Sequence, residues 1–539
     1  MTDGSEDQSA VSADNERLDR NREQFERLLD RACRYAERGR HDLAAAWAEI
    51  AADQAYCNHP GFFADERLEQ LLARIGLAMT TPVLSWRAGG SDWPRSVLHI
   101  PTEVYPTGGH TRLVWRWIEA DRGRRHCVVL TRHRPPGPLP PPLLAATQAT
   151  GGWVRALDWR RALPLERAGQ LRTLAAEFDL VVLHAHHFDP VPAIAFAKGG
   201  PPIVLLNHAG HSFWIGREIA DVVACLRPSS RDVAVTRRGI VPQRCPALPI
   251  PVNVPDAVVS RSKARELLDL PGDAVILFTV AEAYKYRQFE PGCSLVDLVT
   301  TLALVDKRIE VRAIGPDDWG TWRKAREQTG GRVQAIGQHP EIGLYERAAD
   351  IYLDPFPLTS PTAFLEAGIY GLPIVSFCPH RDRAAVMCAD DFTLNDELIR
   401  TDSATSFATE VGRLIEDGAA RAALGRATAE KIIAGHGPDA FADRLADVYA
   451  RAATAHASGR FAAGDIGGAG PLDCCLARFQ KAAWVSTSLR EVIGRHSDSL
   501  PYLPREWMQV KKRLSSYLER TTRLPPHMRK FITRIAKAR

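Results

Sequence analysis

The sequence predicts an α/β protein with two tandem doubly wound domains, a helical region before them and a basic helical extension after them. From about residue 95 to residue 450, short β-branched runs alternate with helical stretches, as βαβ units on a parallel sheet do. The proline-spaced segment PALPIPVNVP (246–255) interrupts this rhythm once. A chain of 539 residues is also too long for one ordinary core. The expected divisions are therefore residues 1–90, 91–258, 259–455 and 456–539.

The first of these regions is predicted to begin with disorder and to continue as helices. Residues 1–15 are acidic and short of apolar side chains, so they cannot bury a core. The helices that follow contain Tyr35, Gly39, Ala44 and Ala51 at spacings that resemble one tetratricopeptide unit. Since no second copy follows, a helical hairpin packed on the next domain is favoured over a peptide-binding array.

Both doubly wound domains are predicted from apolar runs that are typical of buried parallel strands. The first domain contains SVLHI (96–100), HCVVL (126–130), LVVLH (180–184) and PIVLL (202–206). The second domain contains AVILFTV (274–280), EVRAIG (310–315), RVQAIG (332–337), DIYLDPF (350–356) and LPIVSF (372–377). The proline-spaced segment between the two series is expected to be an extended hinge.

The extension from residue 456 to the C-terminus is basic and aromatic. It holds 16 lysine and arginine residues against six acidic residues. Its aromatic residues include Trp484, Tyr502, Trp507, Tyr517 and Phe531. This composition fits peripheral contact with a membrane surface or an acidic partner, and it also fits a solvated helical cap, which is slightly favoured.

The overall composition argues against several classes of protein. The formal net charge of +5 is too small to indicate nucleic-acid binding. The ten cysteines form no CxxC pair, which favours reduced thiols over a disulfide framework or a zinc site. The polar N-terminus is not a signal peptide, and no apolar run is long enough to span a bilayer. A cytoplasmic location is therefore expected, with any membrane contact peripheral and at the inner face.

The segment YLDPFPLTSPTAFLEAGIYGLPIVSF (352–377) predicts an anion site beside a single carboxylate. Ser360 suits a helix cap and Pro361 suits the first helical position. The helix start at Ser360 and Thr362 then offers free N–H groups and the positive end of the helix dipole. Glu366 lies about one turn further along, where it can accept two hydrogen bonds from a ribose diol. The pattern fits a nucleoside diphosphate; a capped helix with a solvated Glu366 is the alternative.

Lys285 adds positive charge at the same edge of the second domain. It follows the first strand of that domain in FTVAEAYKY (278–286), where doubly wound sheets bind their ligands. A lysine in that loop can neutralise a pyrophosphate, although a lone loop lysine is usually a surface residue.

The first domain places glycines and histidines where its strands end. Gly108 and Gly109 follow the first strand and permit close backbone approach to a ligand. Six of the 17 histidines fall at or just past three predicted strands: His110, His184, His186, His187, His208 and His211. Three convergent groups favour a site over separate packing roles. A histidine also suits the base that an acceptor hydroxyl needs near neutral pH.

These segments resemble the glycosyltransferases of the GT-B fold, which contain two Rossmann-like domains. LDPFPLTSPTAFLEAGIYGLPIV (353–375) is similar to the matching segment of protein O-GlcNAc transferases and of the broader group 1 glycosyltransferases. AYK around Lys285 resembles their pyrophosphate-binding segment, and the turn at Gly108 and Gly109 resembles the GG loop of group 1 enzymes. The resemblance covers about residues 95–450.

The resemblance implies a donor site in the second domain and an acceptor side in the first. By this comparison Glu366 binds the ribose, and the segment Ser360–Thr362 meets the phosphates. The base lies against the backbone of a loop such as IGQHPEI (336–342). No cofactor is implied beyond the nucleotide-sugar substrate. No DxD triplet occurs in the sequence, which fits the metal-independent chemistry of this fold.

The resemblance also assigns roles to the histidines. In retaining members a strand-end histidine contacts the donor sugar, which fits His184 and His186. In protein O-GlcNAc transferases an early histidine lies near the reaction centre, which favours His110. His208 and His211 are then expected to contact the acceptor or the sugar.

Two features of the family are missing from the sequence. Many group 1 enzymes carry two acids separated by seven residues, and here Leu358 holds the place of the first acid. The arginine that usually accompanies the lysine is not obvious, and Arg287 is a candidate for it. The donor sugar and the choice between retention and inversion therefore stay open.

The sequence as a whole predicts a transferase of hexosyl or N-acetylhexosaminyl groups, with a glycan, a lipid-linked glycan or a protein as acceptor. A nucleotide-sugar epimerase of the same two-domain architecture is one alternative. A non-catalytic scaffold that keeps the fold without binding nucleotide is a second. A metal hydrolase that uses His184 and His186 as a ligand pair is a third, but it leaves the second domain without a role.

Overall fold

An antiparallel helical hairpin and one further helix precede the first sheet. The computed structural model describes residues 3–82, 93–106, 108–134, 138–160, 162–254, 259–288, 293–459, 464–483 and 487–500. The first helices are α1 (Asp3–Glu37), α2 (His41–Cys57) and α3 (Glu66–Ala78). Apolar residues of these helices share one core with the first sheet, among them Leu29, Ala48 and Ile100. The predicted hairpin is therefore packed on the domain that follows it.

The expectation of a disordered start is wrong for residues 3–15, because α1 already begins at Asp3. Asp14 is buried, and its carboxylate accepts hydrogen bonds from Arg17 at 3.0 Å and from Arg478 at 2.6 Å. The composition of residues 1–15 could not predict the burial of Asp14, because its partner Arg478 comes from the far end of the chain.

The first domain is a parallel sheet with the strand order β3-β2-β1-β4-β5-β6. Its strands are β1 (Ser96–Pro101), β2 (Arg125–Leu130), β3 (Val154–Ala156), β4 (Leu180–His184), β5 (Ile203–Asn207) and β6 (Val222–Cys225). Its helices are α4 (Gly109–Ala120), α5 (Pro141–Ala149), α6 (Pro164–Ala175), α7 (Pro190–Ala195) and α8 (Pro228–Arg238). The four predicted strands are confirmed, whereas the short edge strands β3 and β6 were not predicted.

The second domain is a parallel sheet with the strand order β12-β11-β10-β7-β8-β9. Its strands are β7 (Val275–Val280), β8 (Ile309–Ile314), β9 (Val333–Gly337), β10 (Ile351–Leu353), β11 (Ile374–Phe377) and β12 (Leu398–Thr401). Its helices are α9 (Arg261–Leu267), α10 (Leu295–Val305), α11 (Thr321–Gln328), α12 (Ile342–Ala348), α13 (Pro361–Ile369), α14 (Arg381–Ala384), α15 (Ala404–Glu416) and α16 (Gly418–His436). Strand β10 is shorter than the predicted 350–356, since Pro355 and Pro357 follow it closely.

Helix α17 (Pro438–Ala457) returns from the second domain and packs on the first. Its Tyr449 hydroxyl accepts a hydrogen bond from the Trp117 indole of α4 at 2.8 Å. The same hydroxyl donates to a carboxylate oxygen of Asp121 at 2.8 Å. Trp117 and Tyr449 belong to an apolar core that runs through both domains, so the two sheets are joined by buried surface as well as by the hinge.

The C-terminal extension is described as two helices, α18 (Pro471–Ala483) and α19 (Leu489–Arg495). Asp473 of α18 lies 2.7 Å from the His59 ring and 2.9 Å from the Arg237 guanidinium. The aromatic residues Trp484, Tyr502, Trp507, Tyr517 and Phe531, on which the membrane hypothesis depended, lie outside the described residues. Among the helices that are described, none is long and apolar enough to cross a bilayer.

Each sheet contains one point at which the strand order reverses, and these points define where ligands bind. In the first sheet the reversal lies between β1 and β4, and in the second it lies between β7 and β10. At such a reversal, successive connections leave to opposite faces and open a crevice at the carboxyl ends of the strands. The predicted site residues lie at the end of a strand or in the loops and helices that follow strands, at or beside these two crevices.

Candidate active site

The two crevices meet where helix α4 of the first domain faces helix α13 of the second. Gly108 caps α4 with a φ of 106°, in the left-handed region that glycine adopts without strain. Gly109 lies against Thr362, since a Cβ added to it would come within 2.8 Å of the Thr362 hydroxyl. The N-termini of both helices therefore converge, and their free N–H groups and dipoles add at one place.

Lys285 lies beside this convergence. It sits in a short 3₁₀ turn (Ala283–Tyr286) after β7, and its ammonium group donates a 2.6 Å hydrogen bond to the Thr359 carbonyl. Burial lowers the pKa of Lys285 to about 8, although the nearby Asp354 carboxylate acts in the opposite direction. Asp354 is itself buried and accepts a hydrogen bond from the Ser360 backbone N–H at 3.1 Å. Lys285 and Asp354 therefore flank the start of α13, and both hold it through hydrogen bonds to its backbone.

Glu366 lies on α13 one turn beyond this start, as predicted, but its carboxylate already has partners. Arg112 donates from one nitrogen to both of its oxygens, at 2.8 and 2.9 Å. Arg116 donates to one of the same oxygens at 2.6 Å. Both arginines belong to α4, so the acid predicted to hold a ribose is bound by side chains from across the cleft.

A second acid, Glu346 of α12, lies near Glu366 and was not predicted. It is almost fully buried, and one of its carboxyl oxygens has no hydrogen-bond partner among the described residues. Burial, with a smaller contribution from the Glu366 charge, raises the pKa of Glu346 to about 8. The carboxyl group is therefore largely protonated at neutral pH, because ionisation beside another carboxylate would be costly.

The histidines of the first domain form one cluster, in which His184 and His187 are buried and the others are partly exposed. The His110 ring stacks on His208 with centroids 4.1 Å apart, and it lies 6.4 Å from His184 and 6.5 Å from His186. His208 in turn lies 4.7 Å from His187. The three predicted groups of histidines are therefore brought together.

Burial keeps this cluster uncharged. It lowers the pKa of His184 and His186 to about 3 and that of His208 to about 4. The pKa of His110 lies well below its usual value for the same reason, with neighbouring imidazoles adding to the effect. For His211 the pKa is lowered to about 3 by burial and then by the charges of Arg227, in the first domain, and Lys285, in the second. Among the described histidines of this cluster, none of these five has the near-neutral pKa that the sequence suggested for a base.

Two further histidines extend the cluster into the first sheet. His184 Nε2 lies 2.9 Å from His99 Nδ1, and His99 Nε2 lies 2.9 Å from His126 Nδ1. The chain ends where His126 Nε2 approaches the Asp121 carbonyl at 2.8 Å. Since a carbonyl only accepts, His126 Nε2 donates to it, and the three rings form one hydrogen-bonded chain that ends at His184. The His184 Nδ1 has no partner among the described residues.

The N-terminal helices also reach the cluster. The Tyr56 ring of α2 stacks on His187 with centroids 4.9 Å apart and an interplanar angle of 8°. A cavity of about 430 Å³, mouth included, opens beside it between the ends of β4 and β5 and is lined by His186, His187, His208 and Trp214. The helical hairpin therefore forms part of the wall of the first crevice.

Sequence reasoning missed the residues whose roles depend on the second domain or on neighbouring strands. Arg112 and Arg116 are four apart on one helix, so they share a face, and that spacing was the available signal. His99 and His126 interrupt apolar strands, which is an unusual place for imidazole. The candidate Arg287 is exposed at the end of its 3₁₀ turn. Within the described ranges, no group of three or more His, Cys, Asp or Glu side chains is placed to hold a metal ion.

Comparison with known proteins supports the fold assignment. No protein-family model matches the sequence, and no curated protein sequence matches it. Among solved structures, a glycosyltransferase from Rickettsia africae ESF-5 is similar with a TM-score of 0.52 and 10% identity, covering 67% of this chain and 99% of that one. Anabaena Alr3699/HepE in complex with UDP is similar with a TM-score of 0.50 and 14% identity, covering 66% of this chain and 99% of that one.

An O-GlcNAc transferase from Thermobaculum terrenum is also similar, with a TM-score of 0.47 and 15% identity, covering 77% of this chain and 79% of that one. The assignment of the fold comes from the first two structures and from the strand order of the two sheets. The chain has the GT-B fold of glycosyltransferases, with two Rossmann-like domains that face each other across a cleft.

Proposed function

We propose that this protein is a glycosyltransferase that moves a sugar from a nucleoside diphosphate sugar to a hydroxyl acceptor across the cleft. One observation carries the proposal: an anion-binding crevice and a crevice of neutral imidazoles meet at the convergence of α4 and α13. The HepE structure, which has the same fold, is a complex with UDP. That complex supports a nucleoside diphosphate as the ligand of the equivalent crevice here.

The donor is expected to bind mainly to the second domain. Its diphosphate would lie at the start of α13, near Ser360 and Thr362, with Gly108 and Gly109 close to it on the other side. Lys285, 2.6 Å from the Thr359 carbonyl, is placed to neutralise the charge that develops as the diphosphate leaves. Glu366 would hold the ribose diol.

The acceptor and the transferred sugar are expected to lie in the first domain's crevice. In the transfer, the acceptor oxygen forms a bond to the anomeric carbon, the bond from that carbon to the phosphate oxygen breaks, and the electron pair leaves with the diphosphate. The acceptor's proton passes to a base. His110 is the first candidate because its ring forms a hydrogen bond with the His184 backbone, while its Nε2 has no hydrogen-bond partner among the described residues.

The lowered histidine pKa values are compatible with this role. A diphosphate brings negative charge next to the cluster, and nearby negative charge raises the pKa of an imidazole. His184 and His186 are proposed to contact the donor sugar, and His208 and His211 the acceptor or the sugar. We propose that the transferred group is a hexosyl or N-acetylhexosaminyl group. The proposed acceptor is a glycan, a lipid-linked glycan or a protein.

The decisive experiment is nucleotide binding. Thermal shift with UDP, GDP, ADP and TDP is expected to raise the Tm for at least one of them, because a ligand that binds only the folded state stabilises it. Glu366→Ala should then weaken binding by about tenfold, corresponding to about 1.4 kcal/mol of lost hydrogen bonding. Glu327→Ala, an exposed residue on α11, is the matched control and should bind like the wild type.

Three outcomes separate the alternatives. Absence of binding by all four nucleotides would overturn the proposal and favour a scaffold. Sugar isomerisation without any acceptor would indicate an epimerase. Unchanged affinity in Glu366→Ala would remove the ribose assignment while leaving nucleotide binding in place.

A further inference from the structure

The contact between Arg112, Arg116 and Glu366 occupies the place that a bound ribose would need. Three hydrogen bonds of 2.6 to 2.9 Å use both oxygens of the single carboxylate. The contact crosses the cleft and is only partly shielded, with side-chain exposures of 28% for Arg112, 10% for Arg116 and 15% for Glu366. Both carboxylate oxygens that the proposed function assigns to the ribose therefore already accept hydrogen bonds from guanidinium groups.

The charges of the side chains around Glu366 are not balanced. Two guanidinium groups share one carboxylate, and the neighbouring Glu346 is largely protonated because its pKa is raised to about 8. The Nε of Arg116 is buried and has no hydrogen-bond partner among the described residues. An excess of partly buried positive charge is unfavourable unless an anion neutralises it. The cluster is therefore prepared for a negatively charged ligand.

The two arginines differ in their distance from the convergence of the helices. Arg112 is three residues beyond Gly109, which is about 4.5 Å along the helix axis, and Gly109 touches Thr362. An arginine side chain spans that distance easily. Arg116 is one turn further away, is more buried, and also donates to the Pro251 carbonyl of the hinge at 3.3 Å. Arg112 is the one free to turn toward the phosphates.

We propose that Arg112 is a donor-binding residue that exchanges the Glu366 carboxylate for the diphosphate of the incoming nucleotide. The exchange frees Glu366 for the ribose and gives Arg112 a bidentate partner of the kind that guanidinium groups bind best. Arg116 stays beside the hinge and Glu366. This inference rests on the proposed function.

The test compares a nucleoside with its diphosphate. Binding of UDP and of uridine is measured by calorimetry for the wild type, Arg112→Ala, Arg116→Ala and the control Arg323→Ala, which is exposed on α11. If another nucleotide of the thermal-shift panel binds better, that nucleotide and its nucleoside replace the pair. Arg112→Ala should bind UDP 10- to 100-fold more weakly, while uridine should bind equally well or several-fold better because Glu366 is released.

The other variants define the outcomes. Arg116→Ala should change UDP and uridine affinity by similar factors, since it contacts Glu366 but not the phosphates. Equal factors for UDP and uridine in Arg112→Ala, or UDP affinity equal to that of the wild type, would overturn this inference alone. Failure of the wild type to bind any diphosphate would overturn the proposed function and this inference with it.

Discussion

The two crevices of this protein share one topology and differ in chemistry. Each lies where the strand order of a parallel sheet reverses, between β1 and β4 in one domain and between β7 and β10 in the other. The first collects imidazoles whose pKa values burial lowers to between about 3 and 4 at His184, His186 and His208. The second collects charge, with Lys285 and Asp354 at the start of α13 and Glu366 one turn beyond.

Under the proposed function, the two similar domains would contribute different chemistry to the transfer. The backbone determines where a ligand binds, because helix starts and strand ends meet at the reversal. The side chains determine what binds there. A charged crevice holds an anionic leaving group, whereas neutral imidazoles can receive a proton. If the division holds, variants in the first crevice should slow turnover, and variants in the second should weaken donor binding.

The largest expected effect is on turnover in His110→Ala. Loss of a positioned base typically costs about 10²- to 10⁴-fold in rate, so kcat should fall by that order. The measurement is release of nucleoside diphosphate from the nucleotide sugar, with water or an added sugar as acceptor. The Kd for the diphosphate should stay within about twofold of the wild-type value. A loss of diphosphate affinity comparable to the loss of turnover would contradict the division between the crevices.

The next effect is on donor binding in Lys285→Met. A charge-assisted hydrogen bond contributes about 1.5 to 3 kcal/mol, so UDP affinity should fall by about 10- to 100-fold. Uridine has no phosphate and should bind as it does to the wild type, which separates loss of charge from distortion of the Thr359 loop. Lys324→Met, exposed on α11, is the control with the same change of side chain. Equal losses for UDP and uridine would assign Lys285 a structural role.

Local patterns of sequence were sufficient for most of the fold. Apolar runs identified the central strands because those strands are buried on both faces, as Leu98 and Val182 illustrate. Gly371, which follows the C-cap of α13, adopts a φ of 78°, the left-handed conformation in which helices commonly end at glycine. The edge strands β3, β6 and β12 were not predicted. Strands β3 and β12 each contain an arginine and are only partly buried, so they lack the continuous apolar run that marks a central strand.

The site was predictable only as far as it is local. His110, Lys285 and Glu366 could be assigned to crevices because each follows a recognisable strand or helix start. The partners of Glu366 could not be assigned, since Arg112 lies in the other domain and about 250 residues earlier in the sequence. The link from His184 to His99 likewise exists only after β4 pairs with β1. Contacts between distant segments depend on tertiary structure that neither segment reveals alone.

The smallest expected effect is on the pH dependence of the free energy of unfolding. The first crevice should affect it at acid pH, and the second crevice should affect it at alkaline pH. A folded-state histidine pKa near 4, against an unfolded value near 6.5, means that the unfolded chain binds protons first as the pH falls. His208 therefore contributes stability above pH 6.5 that is lost as the pH falls toward 4. Lys285, with a pKa of about 8 against 10.5 when unfolded, makes stability rise as the pH increases from 8 to 10.5. Urea unfolding at pH 5, 7 and 9.5 measures both slopes.

Two variants assign these slopes to their crevices. His208→Gln should reduce the acid-side slope by up to about 1.4 kcal/mol per pH unit, which is the effect of one proton, and leave the alkaline side unchanged. Lys285→Met should do the reverse. Slopes, rather than absolute stabilities, are compared because His208→Gln also removes the stacking on His110. If His208→Gln kept the wild-type slope between pH 5 and 7, the wild-type imidazole would take up its proton equally in the folded and the unfolded chain. The first crevice would then not keep His208 neutral, and the contrast with the charged second crevice would fail.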